Sequence, residues 1–217
     1  HSWYRRQRQM CIRDSSGGYI KRTPLADFRA QRRGGKGLAG MQTKDEDVVT
    51  TLFVANTHTQ LLFFSTDGMA YKLTTWRLPL GARTAKGKAI VNILPIQTGV
   101  SIAAVMPVDA PEEEWEKLQI IFSTSSGDVR RNALSDFTNV RSNGKIAMDL
   151  PEDITLVNAR IANEDDDVML VTDSGRAIRF STTAVRVFKG RKSTGVRGIK
   201  LLGDDKVVSM SIIRHFE

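Results

Sequence analysis

Leu61-Leu62-Phe63-Phe64-Ser65-Thr66-Asp67-Gly68 is a short apolar run closed by a polar turn and a glycine. The same order returns at Ile120-Ile121-Phe122-Ser123-Thr124-Ser125-Ser126-Gly127 and at Val168-Met169-Leu170-Val171-Thr172-Asp173-Ser174-Gly175. Runs this short, rich in Val, Ile, Leu and Phe and bounded by small polar residues, predict strands rather than helices. The Ser65 to Gly68 and Thr172 to Gly175 segments predict hairpin turns. Outward from these turns, Gly18, Gly68, Gly127 and Gly175 each stand early in a unit of about fifty residues. Four residues after each glycine comes a cation: Arg22, Lys72, Arg131 and Arg179. Further along, an arginine is followed by another glycine, as Arg33 and Gly37, Arg83 and Gly87, Arg141 and Gly144, Arg191 and Gly195. Each unit ends in a second apolar strand, at Val48 to Ala55, Ile102 to Val108, Ile154 to Ile161 and Val207 to Ile213.

Repeats of this length with about four strands each predict an all-β protein of radially arranged blades. One blade buries only one face well, so its neighbours complete the core. The repeats run over residues 16–58, 59–111, 117–163 and 167–217, with short helical turns near Leu25 to Arg29, Leu134 to Phe137 and Thr182 to Val187. Residues 1–15 show no strand alternation and no repeat signature, so His1 to Ser15 is expected to be a non-native tail or scar that displaces the first strand of repeat one. A genuine basic arm is the alternative.

Gln31-Arg32-Arg33-Gly34-Gly35-Lys36-Gly37 puts three cations and three glycines into seven residues. Glycine permits positive φ and keeps the loop thin. Cations reaching out of a thin loop suit a phosphate backbone, where charge supplies affinity without reading bases. A solvated turn accounts for one such loop. Four matched sets of cations are harder to explain that way, because a core has no evident use for them. A shared polyanion-binding role is therefore expected for Gln31, Arg32, Arg33, Gly34, Gly35, Lys36 and Gly37, with Lys21, Arg22, Lys72, Arg83, Lys86 and Lys88. On the later repeats it includes Arg130, Arg131, Arg141, Lys145, Arg179, Arg191, Lys192 and Arg197. The net charge of +8 agrees, and it stays at +5 once the first fifteen residues are set aside. Acids gather in turns of their own, at Asp45 to Asp47, Glu112 to Glu116, Glu164 to Asp167 and Asp204-Asp205. Signs segregated by loop on a basic chain favour nucleic acid as the partner.

The hydrophobic content of 41% over 217 residues supports packed cores. No apolar run approaches the ~18 residues of a membrane span. A single cysteine, Cys11, excludes an internal disulfide framework and fits a reducing compartment. His1, His58 and His215 are terminal or in a turn, so no histidine metal site is expected. Gly190 to Gly195 approaches a phosphate-binding loop but has Val196 where lysine is needed. Trp3, Trp76 and Trp115 are too scattered to form a base-stacking platform.

The chain resembles the C-terminal domain of the DNA gyrase A protein, from a bacterial type II topoisomerase. Gln31 to Gly37 matches that family's heptapeptide box without a departure. Gly18 to Lys21, Pro24 to Phe28, Val54 to His58 and Thr194 to Ile199 are similar to its blades, so the likeness covers Ser16 to Phe216. The resemblance implies a β-pinwheel, a propeller-like disc of bent four-stranded blades that exchange a strand with their neighbours. That disc usually has about six blades; four repeats here imply an incomplete one. It also implies that double-stranded DNA bends around a basic rim and directs negative supercoiling. The implied partners are the rest of the gyrase A protein and the gyrase B protein in an A2B2 heterotetramer, with ATP and Mg used there and no cofactor in this fragment. The family's cleaving tyrosine lies in another domain, and Tyr4, Tyr19 and Tyr71 match no such motif, so no catalytic residue is expected. A bacterial cytoplasmic, nucleoid-associated location follows. Two alternatives remain: the topoisomerase IV C-terminal domain, where the box is degenerate, and a protein-binding propeller, which would carry Trp-Asp blade endings absent here.

Overall fold

An apolar run joined to a second run by a tight polar turn pairs with itself first, and the computed structural model is built from such hairpins. It describes residues 8–28, 30–38, 40–41 and 47–215. The strands are β1 (Gln9–Ser15), β2 (Tyr19–Pro24), β3 (Val49–Asn56), β4 (Gln60–Ser65), β5 (Met69–Thr74), β6 (Lys88–Ala89), β7 (Ile102–Val108) and β8 (Gln119–Thr124). They continue as β9 (Asp128–Ala133), β10 (Lys145–Ile146), β11 (Leu156–Ala162), β12 (Asp167–Thr172), β13 (Ala177–Ser181), β14 (Val187–Phe188), β15 (Val196–Arg197) and β16 (Val207–Ile213).

Four sheets repeat one plan, with orders β3-β1-β2-β6, β10-β5-β4-β7, β11-β8-β9-β14 and β13-β12-β16. A hairpin anchors each sheet, in the middle of the first three and at the edge of the last. Its turn glycine has positive φ, at 75° for Gly18, 84° for Gly68 and Gly127, and 81° for Gly175. In every case that glycine's N–H donates to the carbonyl three residues back. The matched glycines of the repeats thus do one geometric job, since φ near +80° is open to glycine and strained for other residues. The unit's last strand (β3, β7, β11 or β16) pairs on one side of the hairpin. On the other side lies a two-residue strand borrowed from the following repeat: β6 on β2, β10 on β5, β15 on β9. The last sheet departs from the four-stranded expectation. Nothing among the described residues pairs with the free side of β13, so it has three strands, and Ile178 there is 36% exposed.

Short 3-10 turns follow the hairpins at Leu25–Asp27, Leu134–Phe137 and Thr182–Ala184, where the sequence places them. A matching one at Thr75–Arg77 has no separate signal in the sequence.

His1 to Ser15 shows no strand alternation in the sequence, yet its second half takes a strand's place in the first sheet. Gln9–Ser15 is strand β1, paired on both sides with β2 and β3. Met10, Cys11 and Ile12 are buried, as are Arg13 and Asp14. An apolar run of three residues flanked by charges is too short to read as a strand alone, and its pairing partners make it one. Burial raises the Asp14 carboxyl to about 6. Arg13 instead lies over the Phe28 ring at 4.4 Å and donates to the Gly40 carbonyl. His1 to Gln7 lie outside the described residues.

The chain forms two compact units: His1–Leu61 with Leu73–Gln97 and Pro107–Asp109, and Leu62–Lys72 with Thr98–Met106 and Ala110–Glu217. In the first, Met10, Ile12, Ile20, Leu78, Ile90 and Leu94 are buried. In the second, Phe64, Phe122 and Phe137 meet edge to face with centroids 5.2–5.8 Å apart, the favoured geometry for aromatic pairs. A further cluster gathers Ile121, Val129, Val168, Leu170, Val207 and Met210.

Candidate nucleic-acid interface

The loop Gln31 to Gly37 is exposed at every position. It closes on itself, since Gly35 N–H donates to the Arg32 carbonyl at 3.0 Å and Gly37 N–H to Gln31 Oε1 at 3.1 Å. Gln31 is therefore the loop's internal brace. Arg32, Arg33 and Lys36 are left as the groups that face water. Gly34 and Gly37 have φ of 86° and 73°, and a Cβ at either would meet nothing within 4 Å. The loop is shaped by its own backbone and leans on no neighbour among the described residues.

The corresponding loops of later repeats are docked. A Cβ on Gly87 would lie 2.6 Å from the Ile20 carbonyl oxygen, one on Gly144 would lie 2.7 Å from Tyr71 Cε1, and one on Gly195 would overlap the Val129 carbonyl. Each loop leads into a borrowed strand, which brings Lys88, Lys145 and Arg197 alongside β2, β5 and β9. The loops are held by cations from inside. Lys21 Nζ donates to the carbonyls of Gly40, Ala82, Arg83 and Ala85 at 2.6–3.0 Å. Arg130 donates to the carbonyls of Arg191 and Ser193 at 2.8 and 2.6 Å, to Ala147, and to Asn132 Oδ1. Asn132 extends the same clamp to the carbonyls of Phe188 and Gly190.

This geometry corrects the expectation that a core has no use for cations. Lys21 and Arg130 are fully buried, three residues after their turn glycines, and present no nitrogen to solvent-borne phosphate. A buried ammonium or guanidinium is tolerated when several acceptors surround it, and a loop's carbonyls are such acceptors. Burial, the largest influence, lowers the pKa of Lys21, and it lowers that of Arg130 to about 10. Three of the four cations that stand four residues after the glycines are also engaged. Arg22 Nε donates to the Leu78 carbonyl at 2.7 Å. Lys72 pairs with Glu112 at 2.8 Å and donates to the Thr138 carbonyl. Arg179 is exposed and pairs with Asp167 at 2.6 Å. Arg131 is buried, and its Nε and Nη1 have no hydrogen-bond partner among the described residues.

The remaining expected positions are open to water in varying degree. Lys88, Arg141, Lys192 and Arg197 are exposed, and Arg83, Lys86, Lys145 and Arg191 are half-buried. Lys86 Nζ sits 3.5 Å from the Tyr19 ring centre. The clamp residue Asn132 was missed by sequence reasoning. Its only signal is its place two residues after Arg130, on the same face of β9.

Comparison with known proteins follows the same repeats. The family model described as "DNA gyrase C-terminal domain, beta-propeller" matches residues 15–56, 59–109, 119–163 and 166–214. The DNA gyrase A protein of Granulibacter bethesdensis is 48% identical over 211 residues, covering 96% of this chain and 22% of that protein. Its counterpart from Rickettsia bellii is 45% identical over 206 residues, with 95% and 23% covered. The chain thus spans under a quarter of the length of these relatives. Among solved structures, the C-terminal domain of DNA topoisomerase IV superposes with a TM-score of 0.79 at 25% identity, covering 97% of this chain and 63% of that one. The DNA gyrase A C-terminal domain gives 0.70 at 23% identity, with 93% and 64% covered, a likeness of fold.

Proposed function

The chain belongs to the DNA gyrase C-terminal domain family, and on that premise we propose that it binds duplex DNA and bends it around its exposed cations. Its relatives are named as subunits of DNA gyrase, a type II topoisomerase. In this reading the chain is the wrapping part of such an enzyme. It presents a neighbouring duplex for strand passage and so directs negative supercoiling, with the rest of the gyrase A protein, the gyrase B protein, ATP and Mg supplying the chemistry. Work on DNA of this kind belongs in the bacterial cytoplasm, at the nucleoid.

The observation that carries the reading is the loop Gln31 to Gly37. Three cations project from a turn that braces itself through Gln31, so their exposure serves nothing inside the fold. Bending a duplex site of 20–30 bp by 40–90° costs about 1–6 kcal/mol, and many phosphate contacts can offset that. The topoisomerase IV reading is supported by the higher TM-score. The intact box and relatives at 45–48% identity favour gyrase.

The test is to bind the chain to nicked circular plasmid, seal the nick with ligase, strip the protein and count topoisomers. A wrap shifts the linking number in proportion to bound protein, in the positive sense expected of a right-handed wrap. Arg32→Ala with Arg33→Ala and Lys36→Ala should remove most of that shift. DNA binding with no change in linking number would reduce the role to simple attachment.

A further inference from the structure

Lys21 and Arg130 each hold two loops, and they hold them at matching atoms. Lys21 Nζ reaches the Gly40 carbonyl, three residues past Gly37 of its own repeat. It also reaches the Arg83 and Ala85 carbonyls, four and two residues before Gly87 of the next repeat. Arg130 reaches the Ala147 carbonyl, three residues past Gly144 of its own repeat. Its other carbonyls, Arg191 and Ser193, stand four and two residues before Gly195 of the next repeat. A lysine and an arginine thus make the same three attachments, one in each compact unit. Both are fully buried, so neither lends its charge to a ligand directly.

The same place, three residues after the turn glycine, holds Tyr71 in the second repeat and Ile178 in the fourth. Beside Tyr71, the borrowed strand β10 still pairs with β5, and the ring lies close against Gly144. Docking a single loop therefore needs no cation. What the cation adds is a link between two loops. Moving either loop away leaves a buried charge short of an acceptor, which is costly. Exposed Arg141 and Lys192 ride on the two loops that Arg130 joins. Cations at a fixed separation impose a path on a stiff duplex, whereas the same cations on loose loops follow its straight course and give affinity without curvature. We propose that Lys21 and Arg130 are positioning residues for DNA bending, each locking two successive cationic loops into one rigid pair. The bending role rests on the DNA-binding reading, while the coupling of the loops stands apart from it.

Two measurements on the full chain test this. Spin labels at Ser142→Cys and Lys192→Cys, both exposed, read the loop separation without DNA in a Cys11→Ser background. The distance distribution should be narrow with Arg130 present and broad in Arg130→Met. Arg130→Lys should restore it, because Lys21 makes the same attachments. In the plasmid-sealing assay, carried out with no labels attached, Arg130→Met should lower the linking-number shift per bound chain by about half, since one of two couplings is lost. The slope of log K against log salt should stay as in wild type, because no water-facing cation is removed. If Arg130→Met fails to fold by circular dichroism, Arg130→Tyr takes its place, the residue type that the second repeat carries there. Unchanged label distances in the folded variant overturn the coupling. Broadened distances with an undiminished linking-number shift overturn the bending role, and so does a salt slope that falls in step with that shift. If wild type binds no duplex, the DNA reading falls and the bending role with it, and the label distances alone decide the coupling.

Discussion

The loops ending at Gly37 and at Gly195 carry the same pairing of an arginine with a glycine four residues on, in different surroundings. The first is exposed throughout, with nothing near the place where a Cβ would sit on Gly37. The second is pressed against β9, and a Cβ on Gly195 would overlap the Val129 carbonyl. From within, Arg130 grips its carbonyls. One motif thus serves two purposes. Docked, it attaches a borrowed strand to a hairpin. Undocked, it offers all its cations to solvent. Repetition of a cation in sequence is therefore weak evidence for a ligand until its surroundings are known.

That contrast can be broken by substitution. The largest effect is expected from Gly195→Ala, which combines strain at φ 103° with a clash against backbone that cannot retreat. Together these should cost roughly 3 kcal/mol, read as a lower Tm and faster amide exchange on β9 and β15. Next comes Lys21→Met, which strands several carbonyls of the docked loop at Ala82 to Ala85. A loss of about 2 kcal/mol is expected, with hydrogen exchange quickened first in that loop. Gly37→Ala should cost only the conformational penalty of about 1 kcal/mol, because space is open around it. If Gly37→Ala proves as damaging as Gly195→Ala in thermal unfolding, the box loop is docked too and the comparison fails. The smallest change in stability is expected for the triple alanine variant of Arg32, Arg33 and Lys36, within about 0.5 kcal/mol. The same variant sharpens the contrast in function. Three lost phosphate contacts should lower the slope of log K against log salt by about 3. An unchanged slope would make the box ordinary surface.

Much of the fold was legible because hairpins are local. The runs ending at Gly68, Gly127 and Gly175 specify their own turns, and the strands at Ile102 to Val108 and Val207 to Ile213 appear where their apolar residues lie. Strand β1 was not legible. Met10, Cys11 and Ile12 make a strand only through pairing with β2 and β3. The borrowed strands β6, β10 and β15 are two residues each, too short for any periodicity to show. At the candidate site, composition pointed to the box correctly as a solvent-facing loop, since a heptapeptide so rich in glycine and charge has nothing to bury. It misjudged Lys21 and Arg130, because the acceptors that make their burial tolerable are backbone carbonyls from segments 17 to 64 residues away. Side-chain identity gives no hint of those.

The sequence by itself determined that this is a repeating all-β chain with glycine-closed hairpins, a basic charge and one thin, glycine-rich cationic loop. These are properties of runs of a few neighbouring residues, where φ preference, alternation and charge act locally. Tertiary structure alone decided which cations are spent holding loops and which remain for a ligand. It also decided that Lys21 and Arg130 each join two successive loops and that β13 keeps a free edge among the described residues. The physical reason is that a buried charge depends on acceptors brought from distant segments, and only the folded backbone brings them together.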